Sequence, residues 1–265
     1  MMRIATRNLA LLNVLGLAAV LVLNYLSNAL PLNGKTPGQL SDQYPNLFVP
    51  AGLTFAIWGA IYVWLLAWSV WQIMAVANAG VRNRIEPALQ KIGLLFVSTC
   101  LYNVAWLLAW HWEQVLLSVL IMAMLFLRLI RLNVQSGAGM HASGEAEKWL
   151  MHAPFGLYWG WISIALIANV TALLVQLNWG RFGQSEGFWA ITMIAIGSLV
   201  AAAVVWTRHQ IFYGVAVIWA LYGIWMKRNS FQEVPDSATV ATVALGGIAI
   251  VAVAVVLRLK KWINY

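Results

Sequence analysis

Aromatic and amide side chains recur at helical spacing inside three apolar stretches of this chain. Trp58 and Tyr62 stand at i and i+4, Asn103, Trp106 and Trp110 at i, i+3 and i+7, and Tyr158, Trp161, Ala165 and Asn169 at i, i+3, i+7 and i+11. On a helix each set falls on one face. An indole face stacks on a flat apolar molecule, and an amide holds such a molecule's polar edge by a hydrogen bond. The same faces also serve to knit helices together, so spacing alone leaves packing and ligand binding both open. Either use turns Asn103 and Asn169 toward the interior, because an amide in hydrocarbon needs a hydrogen-bond partner.

Other chemistry is harder to find. Ion-coupled carriers keep a carboxylate or histidine at membrane depth. Here Asp42, Glu86, Glu113, Glu145, Glu147, Glu186, Glu233 and Asp236 all fall in loops or at the ends of apolar runs. The paired Gly/Pro interruptions of secondary transporters are missing. His111, His141, His152 and His209 do not stand deep in any run, where an axial haem ligand is wanted; His152, near the start of the fifth run, reads as an interfacial or capping residue, with a ligand or pocket role as the lesser alternative. Protease, P-loop, hydrolase and dinucleotide motifs are absent, so no catalytic residue, metal site or required cofactor is expected. The single cysteine, Cys100, excludes an intrachain disulfide framework.

The elements that position these faces are apolar helices. With 62% hydrophobic and 9% charged residues and a mean hydropathy of +0.79, the composition is not that of a soluble domain. The runs approach the roughly twenty residues an α-helix needs to cross hydrocarbon and lack the alternation of a membrane β-barrel. The fold class expected is an all-α integral membrane protein of about eight spans, at residues 9–30, 53–76, 92–110, 115–132, 149–177, 188–206, 211–226 and 238–257. The first run follows Arg3 and Arg7 but is longer than a signal-peptide core, and is expected to remain as a span.

Counting Lys and Arg on alternate sides gives twelve (Arg3, Arg7, Arg82, Arg84, Lys91, Arg128, Arg131, Lys148, Arg208, Arg258, Lys260 and Lys261) against four (Lys35, Arg181, Lys227 and Arg228). This bias predicts an even number of spans with both termini cytoplasmic, and places the 31–50 loop outside a bacterial inner membrane. The net charge of +8 is then explained by anionic headgroups, with no nucleic-acid partner.

At these aromatic and amide residues the chain resembles the TspO family of tryptophan-rich sensory proteins, related to the mitochondrial translocator protein. The second span, from Pro50 through Trp58 to Tyr62, looks like the family's F-G-P-V-W-T-x-L-Y. The sequence Leu101-Tyr102-Asn103-Val104-Ala105-Trp106 resembles A-L-N-x-x-W. Pro154 through Trp161 and Ser163 to Asn169 resembles P-Y-x-x-W-x-S-F-A-x-x-L-N. The agreement in order covers about residues 9–177. Departures are the 44–50 loop, which reads YPNLFVP without the family's tryptophan, a Pro154 set about three residues farther from Trp161, and a span end lacking the tyrosine of the proposed sterol motif.

The resemblance implies a five-helix ligand-binding bundle at residues 1–180, capped by the first loop, with three additional helices at 181–265. Its ligands would be porphyrins or haem, sterols, or synthetic aromatic compounds, held by Trp58, Tyr62, Asn103, Trp106, Tyr158, Trp161, Ala165 and Asn169. The expected role is a receptor or sensor, with transport of the ligand as a first alternative and porphyrin breakdown as a second. The transport alternative is favoured if Tyr213, Trp219 and Trp225 complete a path through the added helices. Expected partners are the lipid bilayer and a hydrophobic small molecule; members of the family are often dimers, but the added helices could cover the pairing surface, so a monomer and a homodimer are both open. Of the sixteen tryptophans, Trp58, Trp106 and Trp161 are the pocket candidates, while Trp71, Trp110, Trp112, Trp149, Trp179, Trp189, Trp206, Trp225 and Trp262 lie near span ends and read as interfacial anchors.

Overall fold

The computed structural model describes residues 4–30, 32–231 and 233–264; Arg3 of the charge count and Pro31 of the loop lie outside them. All eight expected spans are helices: α1 (Thr6–Ala29), α3 (Ile57–Ala77), α5 (Leu95–His111), α6 (Val115–Ser136), α8 (Ala153–Gln176), α9 (Glu186–Arg208), α10 (Ile211–Ser230) and α11 (Ser237–Ile263). Between them lie the short α2 (Pro37–Asp42), α4 (Ala79–Ile92) and α7 (Glu145–Glu147), which runs through a π turn (Lys148–His152) into α8. Six of the helical units are long and apolar enough to cross a membrane by length and composition alone, and a seventh is obtained if the bent pair α4 and α5 is one span. The protein is an all-α membrane protein.

Contacts between helix ends sort the eight long helices into an alternating path between two faces. On one face, Lys35 of the first loop pairs with Glu113 after α5, and Lys227 near the end of α10 pairs with Asp42 of α2 at 3.0 Å. On the other, Gln90 of α4 donates to Ile4 O at 2.8 Å, Lys148 to Ile263 O at 2.6 Å, and Gln210 to His152 O at 3.1 Å. We call these the lid face and the terminal face. Chain ends and basic-rich loops gather on the terminal face.

Besides the short α2 and α7, a longer helix was not anticipated. α4 reads as a basic loop in sequence, yet it buries Ile85, Ala88, Leu89 and Ile92 along one side and turns its charges outward, as a helix lying along the interface does. It meets α5 at 61°, across Gly93 at φ 53°, a conformation that costs glycine least.

Close approach of the C-terminal helices depends on missing side chains. A Cβ on Gly160 of α8 would collide with Tyr213 O of α10, and one on Gly247 of α11 would collide with Ser198 Oγ of α9. Small residues let helix backbones approach in this way where hydrocarbon supplies no hydrophobic drive. The neighbouring Gly197 and Gly246, equally small, meet no such contact. The turn around residue 180 separates α8 from α9 in sequence, but α8 packs along α10 and one apolar core runs through both sets of helices.

Candidate functional site

The indole of Trp58 is the centre of an aromatic cluster. A 3₁₀ turn (Gly52–Ala56) delivers the chain from the first loop into α3, so Trp58 and Tyr62 project one turn apart and stack at 5.3 Å. Trp106 of α5 lies nearly parallel to Trp58 at 6.3 Å, while Tyr158 and Trp161 of α8 meet it edge-on at 5.7 and 6.1 Å. Phe55 adds an edge contact to Trp161 at 6.0 Å. Such geometries satisfy ring quadrupoles and hold each ring at a fixed angle.

Beside this cluster lies a cavity of about 650 Å³ between α1, α3, α5 and α8 under the first loop. Six of the eight residues expected from sequence line it: Trp58, Tyr62, Trp106, Trp161, Ala165 and Asn169. Asn103 and Tyr158 stand behind that wall. Asn103 donates to the Tyr158 hydroxyl at 2.9 Å and accepts from Asn24 at 3.1 Å, and Asn24 does face the cavity. Asn169 accepts from Trp106 Nε1 at 3.0 Å and donates to Ser118 at 2.9 Å. The amides thus meet the requirement for partners in hydrocarbon, and they lock the indole of Trp106 in place.

Sequence reasoning missed the contribution of α1. Leu21, Asn24, Tyr25 and Asn28 fall at i, i+3, i+4 and i+7 and line the cavity together, and the amides at positions 24 and 28 of an apolar run were the available signal. Trp110, read as an anchor, is a cavity wall 6.4 Å from Trp106. Trp71 and Trp262 are also buried among other side chains, whereas Trp112, Trp149 and Trp206 are exposed. His152 is fully buried, with Nε2 3.2 Å from Glu147 Oε1 at the terminal face, away from the cavity.

The first loop forms a lid. Thr36 caps α2 through a capping box, and Thr36, Pro37 and Ser41 then face the cavity. Asn46 accepts from the amides of Phe48 and Val49, turning the chain so that Val49 and Pro50 reach the cavity too. Tyr44 packs on Trp110 at 5.8 Å, and burial together with the nearby Glu113 carboxylate raises its phenol above the usual range. Two ion pairs, Lys35 with Glu113 and Lys227 with Asp42, hold the loop from both sides.

The lining carries no charged side chain, histidine or cysteine among the described residues. Whatever part of a molecule enters is therefore uncharged or turns its ionised groups toward the mouth, since an unpaired charge would be costly there. An iron atom would find no imidazole or thiolate in the lining. The family described as TSPO-like protein matches residues 10–257. The chain belongs to that family.

No curated protein and no solved structure gives a match. The TSPO-like match runs from α1 into α11, so α9, α10 and most of α11 lie within it. In this TSPO-like protein one of them, α10, buttresses the site from outside. Trp219 of α10 donates to Thr54 O at 2.8 Å, and Gly223 O accepts from Ala51 N at 2.9 Å, which fixes the 3₁₀ turn below the lid. Tyr213 packs edge-on against Trp159 at 4.6 Å and donates to Ser163, and Trp225 lies beside Tyr222. Neither Tyr213, Trp219 nor Trp225 lines the cavity.

Proposed function

We propose that this TSPO-like membrane protein is a receptor for a hydrophobic planar molecule, of the metal-free porphyrin type, bound under the lid between α1, α3, α5 and α8. The observation that carries the reading is the convergence of Trp58, Trp106 and Trp161 from three helices on one cavity of about 650 Å³. Parallel and edge-on indoles give a slot for a flat ring, and apolar walls supply the burial that draws it from the bilayer. Trp161 Nε1 is buried without a hydrogen-bond partner among the described residues, and it suits an acceptor on the ligand. Carboxylates of a porphyrin would point out of the mouth of the cavity, clear of its uncharged lining. Sensing is preferred to passage because the aromatic residues of α10 extend no path from the cavity.

The test is titration of purified protein with protoporphyrin IX, followed by the ligand's own absorbance and fluorescence so that sixteen tryptophans do not obscure the signal. Saturable binding is expected. Trp58→Ala and Trp161→Ala should each weaken it about tenfold or more, the loss expected for a stacked, desolvated anchor. Equal binding by both variants would sink the reading, and consumption of the porphyrin in the dark or under light would replace it by an enzyme.

A further inference from the structure

α8 lines a second cavity with its other face. Opposite the residues that line the first cavity, Ile167, Val170, Thr171 and Leu174 face a separate cleft of about 610 Å³ whose far wall is Trp189, Ala190 and Met193 at the start of α9. The cleft exists because α9 packs along α11 and α10 and meets α8 only briefly. Pro45 to Phe48 of the lid loop close one side, one residue before the loop enters the first cavity at Val49.

The mouth of the cleft is at the lid face, between the end of α8 and the start of α9. Its rim is built by the turn after α8, in which Asn178, Arg181 and Phe182 adopt φ of 50°, 53° and 52°. These left-handed conformations are uncommon for side-chain-bearing residues and need local support. Trp189 Nε1 supplies it by donating to Arg181 O at 3.0 Å, and Trp179 packs on Trp189 at 5.0 Å. Both indoles therefore stand at the boundary between an apolar trough and a polar rim, the place where amphipathic rings flank lipid.

The rim carries one cation and one carboxylate, Arg181 and Glu186. Neither forms an ion pair among the described residues, although Glu186 lies near enough to the buried Arg228 to act on its charge. A guanidinium recognises a phosphate through charge-assisted hydrogen bonds, and a carboxylate recognises an ammonium. An occupant that satisfies trough and rim together has an acyl chain and a head with both charges.

We propose that the cleft between α8 and α9 is a binding site for one zwitterionic phospholipid of phosphatidylethanolamine type. Its acyl chain lies along Val170 and Met193, its phosphate meets Arg181 and its ammonium meets Glu186. This site is distinct from the cavity under the lid and does not depend on the porphyrin reading.

The full chain, delipidated in detergent, is titrated in turn with palmitoyl-oleoyl phosphatidylethanolamine, the matching phosphatidylglycerol and the matching diacylglycerol, and bound lipid is counted by native mass spectrometry. One retained phosphatidylethanolamine is expected, in preference to the other two. Arg181→Gln should reduce retention of both phospholipids about tenfold, the worth of a charge-assisted contact. Glu186→Gln should remove the preference for ethanolamine over glycerol headgroups while leaving the phosphate contact. Val170→Trp fills the trough and should exclude all three lipids; if that variant does not fold, the two rim variants decide the matter. Equal retention of the diacylglycerol, equal retention of the two phospholipids by the native chain, or unchanged retention in both rim variants would overturn the proposal. Protoporphyrin binding, measured in parallel, reports on the other cavity alone.

Discussion

Asn169 shows how one side chain serves both stability and site geometry. It accepts from Trp106 Nε1 and exchanges hydrogen bonds with Ser118, and it is itself a cavity wall. Replacing it by leucine leaves the Trp106 N–H and the Ser118 hydroxyl without that partner. Asn169→Leu is expected to lower stability by about 0.5–2 kcal/mol, the span of values for interhelical hydrogen bonds in membranes. It should also broaden the orientation of the indole. The first effect is read as a lower thermal midpoint in detergent, the second as weaker porphyrin binding. An unchanged midpoint would show that the Trp106 hydrogen bond contributes nothing net. Asn103 has the corresponding role in the layer behind the wall, and its spacing in the chain held no sign that it would bridge Asn24 and Tyr158 from there.

At the scale of elements, the lid rests on α10. The contact is tight: a Cβ on Gly223 would collide with Thr54 Oγ1 and lie 2.8 Å from its Cγ2. Gly223→Ala must move α10 or push the Gly52–Ala56 turn, which carries the cavity residues Gly52 and Phe55. Overpacking of this kind costs about 1–3 kcal/mol. The variant is expected to melt lower and bind porphyrin more weakly. Adding Thr54→Gly, which clears the contact, should restore binding to a measurable degree. Full binding by Gly223→Ala alone would show that the lid does not lean on α10. The clasps Lys35 with Glu113 and Lys227 with Asp42 are exposed enough to contribute little stability, so they act as position markers for the loop more than as energy.

At the scale of the whole molecule, eight helices alternate between two faces, and the terminal face gathers both chain ends with the basic-rich loops. The charge bias of twelve against four predicts that this face is cytoplasmic. Reporter fusions at the N- and C-termini, scored by an enzyme active only outside and a fluorophore active only inside, should both report cytoplasm. A terminus on each side would remove a crossing and overturn the alternating path. The C-terminal helices extend the core begun by the first five, and through α10 they hold the turn that leads into α3 and Trp58.

The sequence by itself determined the helices, because a continuous apolar run of span length has one way to satisfy its backbone in lipid. It also determined the faces bearing Trp58, Trp106 and Trp161, since helical spacing fixes which residues share a side. What it left open belongs to contacts between elements far apart in the chain. Asn24 and Asn28 reach the cavity only because α1 packs against α3 and α5, and Trp110 is a wall because Tyr44 of the lid covers it. The amphipathic α4 was hidden by its charges, and the second cleft by the divergence of α8 from α9. Periodicity places a residue on a face, but which neighbour that face meets, and whether a gap remains between them, is decided by side-chain volume summed over several helices. Only the tertiary structure carries that sum.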